Sequence, residues 1–116
     1  MGIRSPYAIF LNSVVALRKT HPDQEFIGCD EVLAFVAEKT SGNQTVRITD
    51  LVQYSAFGTG PTVHRKCKLL ISRGLLVVDE DPDDKRANML IVSPSGWKYL
   101  ETYTKMMKDA FEKAAT

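Results

Sequence analysis

A mainly helical fold with one small β-hairpin follows from three features of this 116-residue sequence. Apolar residues recur at three- and four-residue spacing in segments opening near Ser5, Asp30, Thr49, Pro61 and Ser93, as they do in helices that bury one face. Two β-prone runs, Leu75-Leu76-Val77-Val78 and Met89-Leu90-Ile91-Val92, bracket a polar tract from Asp79 to Asn88 that contains Pro82, as strands do around a turn-rich loop. The helix ahead of them is punctuated at both ends. Pro61 suits the first helical position because its missing N–H would be an orphan donor there, and Gly74 suits the position after the helix because it takes left-handed backbone without steric cost.

That central helix, over 61–73, is the most one-sidedly charged stretch of the chain, with Arg65, Lys66, Lys68 and Arg73 and no acid. Excess positive charge on a short, capped helix points to an anionic partner. Advancing about 100° per residue gathers Val63, Cys67, Leu70 and Ile71 into one apolar arc and sets Arg65, Lys68 and Ser72 opposite, with His64 and Thr62 flanking them. Upstream, Thr49 reads as the N-cap of a short helix through Leu51 and Val52. Ser55-Ala56-Phe57-Gly58-Thr59-Gly60 then breaks it with two glycines. Two helices joined by a short glycine-containing turn, the second basic on its outer face, form a helix-turn-helix. A hairpin directly after it is a wing, so the predicted fold is a winged helix-turn-helix flanked by N- and C-terminal helices.

The flanking elements follow in order. Ser5-Pro6 reads as a cap with proline in the first turn, opening a helix to about Lys19 whose Tyr7, Phe10, Leu11, Val14, Val15 and Arg18 keep three-four spacing; His21-Pro22-Asp23 ends it. A second helix is predicted from near Asp30 to Lys39, stopped by Ser41-Gly42-Asn43. Val46 and Ile48 are assigned to a short strand pairing with the wing. The last helix opens at Ser93-Pro94-Ser95 and carries Trp97, Leu100, Tyr103, Thr104, Met107 and Phe111 at near-heptad spacing. Residues 1–116 make a single winged-helix domain on this reading, with 1–20 and 95–116 forming a dimer body, because both terminal helices are amphipathic without an evident partner inside the monomer.

Composition excludes several classes. At 44% hydrophobic and 25% charged residues the chain is globular, and a net charge of +1 is not that of a protein coating nucleic acid indiscriminately. Charge is distributed unevenly instead: between Asp23 and Asp50 six acids face only Lys39 and Arg47. No apolar run spans a bilayer and no signal pattern opens the chain, so no membrane partner and a cytoplasmic location are expected. Catalytic chemistry finds no support. His21 and His64 are far apart in sequence, and Asp81, Asp83 and Asp84 lack the glycine and closing glutamate of a calcium loop. Cys29 and Cys67 lack zinc-site spacing, so neither metal nor cofactor is expected. Cys67 falls on the buried arc. Cys29 sits near a helix start, where the dipole can lower a thiol pKa.

Several of these residues together resemble the signature of MarR-type winged-helix transcriptional regulators. They are Thr62-Val63-His64-Arg65, Leu70, Arg73-Gly74-Leu75-Leu76, Asp81-Pro82-Asp83-Asp84-Lys85-Arg86 and Ile91-Val92-Ser93-Pro94-Ser95-Gly96, in order from roughly Ile48 to Leu100. In that family a recognition helix ends at a glycine, the wing carries a D-x-R-like element, and a (S/T)-x-x-G segment opens the last helix. The resemblance implies sequence-specific binding of double-stranded DNA, usually as a repressor and a homodimer. Thr62, His64 and Arg65, with Lys68 and Ser72 on the same face, take the positions that meet base edges and phosphates. Lys85 and Arg86 take wing positions, with Asp84 helping to hold the arginine. The family often binds a small aromatic effector, and Phe10, Phe35, Trp97, Tyr99 and Tyr103 could line such a cleft, though aromatics at these spacings more often belong to the core. This wing departs from a basic one, holding Asp79, Glu80, Asp81, Asp83 and Asp84 against Lys85 and Arg86. The alternative function is therefore a winged-helix protein-interaction module that does not touch DNA.

Overall fold

A computed structural model describes residues 3–20, 28–79 and 88–116. Five helices and one hairpin follow one another: α1 (Pro6–Lys19), α2 (Asp30–Ser41), α3 (Ile48–Gln53), a 3-10 turn (Ser55–Phe57), α4 (Gly60–Ser72), β1 (Leu76–Asp79), β2 (Met89–Val92) and α5 (Pro94–Ala115). The mainly helical class with a two-stranded antiparallel hairpin is as predicted. The predicted wing residues Lys85 and Arg86, and the acids beside them, lie outside the described residues.

Local chemistry explains most boundaries. Ser5 caps α1, its hydroxyl accepting the Ala8 backbone N–H at 3.2 Å with Pro6 next in line. The helix α4 opens one residue before Pro61 and closes at Arg73, and Gly74 takes φ +73°, the left-handed residue expected after a helix. Three boundaries differ from the sequence reading. Thr49 is not the cap of α3: the Asp50 carboxylate accepts the Arg47 backbone N–H at 2.9 Å, so the helix starts at Ile48 and Thr49 is already inside it. The proposed strand over Val46 and Ile48 shrinks to a single bridge between Arg47 and Met89, with the Leu90 N–H donating to the Val46 carbonyl at 2.8 Å. Early helix formation at Ile48 leaves no residues for a longer ladder. The α2 helix runs on to Ser41, and Asn43 takes φ 61° beyond it, a conformation asparagine tolerates better than most residues.

The chain divides into two compact units. The unit over 25–97 contains α2, α3, α4, the hairpin and the first residues of α5. Here α2 packs on β2 and α4, α3 packs on α4, and α4 packs on β1. Leu33, Leu51, Leu70, Leu76 and Leu90, with Val32, Val36, Val46 and Val63, are fully buried. In the hairpin Leu76 faces Val92 and Val78 faces Leu90, while Val77 and Ile91 pair on the exposed face. Strand alternation accounts for that division.

The base of the hairpin is tied to the start of α5 by Ser93 and Gly96. The Ser93 hydroxyl donates to the Gly74 carbonyl and accepts the Gly96 N–H, while the Ser93 N–H reaches the Leu75 carbonyl at 3.1 Å. A β-carbon on Gly96 would collide with the Leu75 carbonyl oxygen and lie 2.7 Å from Val92 Cγ1. The (S/T)-x-x-G segment thus has a packing reason: only glycine lets the helix backbone approach the carbonyl that ends the α4 corner.

The other unit combines residues 1–24 with 98–116. Arg4 donates to the Lys113 carbonyl at 2.8 Å, and Val14 and Ala110 are buried. Tyr99 and Tyr103 pair edge-to-face with their hydroxyls 3.0 Å apart. Ile3, Tyr7, Leu11, Val15, Met107 and Phe111 stay exposed.

Candidate nucleic-acid interface

The site is built on α4. Its inner face, Val63, Cys67 and Leu70, is completely buried, and Ile71 is half-buried, so the apolar arc read from the helical period is the core-facing one. Because that face is fixed, the opposite one must point outward. His64, Arg65, Lys68 and Ser72 are all exposed. Together with Pro61 and Leu69 they line an open depression of about 450 Å³. Thr62 is half-buried, and its hydroxyl lies 3.1 Å from that of Thr59 at the head of the helix. The Ser72 hydroxyl donates back to the Leu69 carbonyl at 2.9 Å. The structure therefore brings five sequence-predicted residues, Thr62, His64, Arg65, Lys68 and Ser72, onto one helix.

The turn that aims α4 is held from beneath. Phe57 is buried, and its ring packs edge-on against Phe35 of α2 at 5.4 Å and lies 5.5 Å from Tyr54. Phe35 and Tyr54 close the triangle at 5.1 Å. Such aromatic groupings add specific geometry to apolar burial. Gly58 follows with φ +111°, and a β-carbon there would press on Thr62 Cγ2 at 3.2 Å. Phe35 is thereby committed to the turn, Tyr99 and Tyr103 are engaged with each other, and Trp97 is 45% exposed.

Sequence reading missed two participants. Lys66, counted with the basic residues, is half-buried, and its ammonium donates to the Phe57 carbonyl at 3.2 Å. The helical wheel held the clue, since position 66 falls about 40° from Leu70, at the border of the apolar arc. Phe57, read only as part of a loop, anchors that loop; one aromatic among small residues was its signal.

The cysteines need a correction. Cys29 stands at the head of α2 but is fully buried, and burial raises its thiol pKa despite the opposing pull of Lys66 and Arg65. Desolvation dominates here, so the expectation of a lowered thiol pKa at Cys29 fails. Cys67 is pushed up from 9.0 to about 11, chiefly by burial and then by Cys29. Among the described residues no group of three His, Cys, Asp or Glu side chains could hold a metal ion, and no helix is long and apolar enough to cross a membrane.

A buried-core helix-turn-helix with a basic outer face and a hairpin behind it defines the winged-helix class. Comparison with solved structures narrows the fold further. The chain is similar to MepR of S. aureus, seen as a variant bound to an oligodeoxyribonucleotide, at 20% identity and a TM-score of 0.65, covering 94% of this chain and 81% of that one. It is similar to BpsR of Bordetella bronchiseptica, whose DNA binding is regulated by 6-hydroxynicotinic acid, at 20% identity and a TM-score of 0.56, covering 94% and 70%. A MarR-like transcriptional regulator from Thermotoga maritima matches at 13% identity and a TM-score of 0.53, covering 94% and 77%. No family model matches the sequence, and no curated protein is a significant match. The protein has the fold of MarR-type transcriptional regulators.

Proposed function

We propose that this protein is a sequence-specific double-stranded DNA-binding transcriptional regulator, acting as a cytoplasmic repressor. The observation that carries the reading is the exposed row His64, Arg65, Lys68 and Ser72 on a helix whose opposite face is locked into the core. In this reading α4 enters the major groove. Arg65 is the side chain best suited to guanine, each good bidentate contact contributing about 1–3 kcal/mol of base discrimination. Lys68 neutralises phosphate, and Lys85 and Arg86 serve the wing. Fold likeness to a MepR variant bound to an oligodeoxyribonucleotide supports the assignment.

The protein works as a homodimer. Support comes from the apolar residues that α1 and α5 leave uncovered, among them Tyr7 at 68% and Phe111 at 63% exposure. Two recognition helices about 34 Å apart then require a near-palindromic site. A small aromatic effector of the kind that regulates BpsR belongs to the same reading, supported by that fold likeness alone.

The test is selection of bound duplexes from a random pool, followed by mobility shift with random competitor. The expected result is a two-fold-related site whose binding is lost in Arg65→Ala while circular dichroism is unchanged. Absence of duplex affinity even at low salt would refute the reading and leave the protein-interaction module in its place.

A further inference from the structure

Lys66 is the cation of α4 that turns away from the outer face. It reaches from the second turn of the helix to the Phe57 carbonyl oxygen at 3.2 Å, and its Nζ lies 3.9 Å from the point a β-carbon on Gly28 would occupy. Its charge is also the largest influence lowering the thiol pKa of Cys29, the next residue in the chain. One side chain therefore spans three pieces of backbone: α4, the 3-10 turn, and the residues leading into α2. The acceptor is itself fixed, because the Phe57 ring is buried against Phe35 of α2. A hydrogen bond from an ammonium is roughly twice as strong as a neutral one, and half-burial shields this one from water.

We infer that Lys66 is the positioning residue of the recognition helix: by clamping the Phe57 carbonyl it sets how α4 leaves the turn, and it contacts no phosphate. The inference deepens the DNA-binding reading and rests on it for its functional half. Bidentate contacts to base edges tolerate little misplacement, so loosening this clamp weakens binding although no contacting group is removed.

The full-length chain with Lys66→Met, Lys66→Arg or Lys68→Ala, and the duplex recovered by selection, provide the test. Lys66→Met is expected to weaken binding about tenfold, the loss of one charge-assisted hydrogen bond, with the salt dependence of affinity unchanged. Lys66→Arg retains a donor and restores most of the affinity. Lys68→Ala, a phosphate contact, instead lowers the slope of log K against log salt by about 0.9. In the free protein, amide exchange at Phe57 and Val63, whose N–H groups donate to the Tyr54 and Thr59 carbonyls, should speed up about tenfold in Lys66→Met while α5 amides keep their rates. A slope reduced by about 0.9 in Lys66→Met would make Lys66 a phosphate contact and overturn the inference, as would unchanged exchange at the turn. If the wild-type chain binds no duplex, the DNA-binding reading falls separately, and exchange at the turn alone decides whether Lys66 holds it.

Discussion

The two units of this chain meet the same burial requirement to different degrees. In 25–97 every helix has a covered apolar face, and five leucines drawn from α2, α3, α4 and both strands are fully buried. In 1–24 with 98–116, two long amphipathic helices bury Val14 and Ala110 and leave Tyr7, Leu11, Val15, Met107 and Phe111 in solvent. The difference is geometric. Three helices and a hairpin approach one centre from several directions, whereas a pair of helices shares only one seam and leaves the rest of each apolar stripe open. The closed unit presents a charged face, and the open unit presents an apolar one. The proposed dimeric DNA-binding function would draw on both.

The comparison predicts a graded response to substitution. The largest effect belongs to the closed core: Leu70→Ala should cost about 2–5 kcal/mol in urea denaturation, and a loss below about 1 kcal/mol would mean that the core repacks freely. Gly96→Ala comes next, at about 1–3 kcal/mol by the same measurement, because the Leu75 carbonyl and Val92 cannot both retreat from a new methyl group.

A smaller effect comes from the buried thiols. Both are raised in the folded state, so the unfolded chain ionises first as pH increases. Stability attributable to Cys67 is complete below 9.0 and disappears as pH climbs through about 11. Thermal melts of the wild type and Cys67→Ala should share one pH slope below 9.0, and only the wild type should lose additional stability between 9.0 and about 11. Smallest for folding is Phe111→Asp in the open unit, within about 0.5 kcal/mol as for other surface changes. Sedimentation should nevertheless show it shifting the protein from dimer to monomer. A wild-type chain that sediments as a monomer would remove the reason given for the exposed apolar face.

Much of this arrangement was legible before any coordinates. Pro61 and Gly74 marked α4 to within a residue, because each is favoured by backbone chemistry that does not depend on distant contacts. Ser5 and Pro6 did the same for α1. What was misread depended on partners remote in sequence or on competition between nearby groups. Thr49 and Asp50 are both plausible start signals, and only the bond from Arg47 to Asp50 decides between them. Val46 and Ile48 alternate as a strand would, yet a helix claims Ile48.

By itself the sequence determined the five helices and the hairpin, the order in which they occur, and which face of α4 is apolar, since helical period and capping act over a few residues. Tertiary structure decided where each cation goes. Arg65, Lys66 and Lys68 are interchangeable by charge, but folding carries Lys66 to the Phe57 carbonyl and leaves its neighbours in solvent. It likewise decided the state of Cys29, where burial outweighs the nearby cations Lys66 and Arg65 and raises the thiol pKa. Long-range desolvation and long-range hydrogen bonds have no local signature, and for that reason they emerge only when the chain is closed on itself.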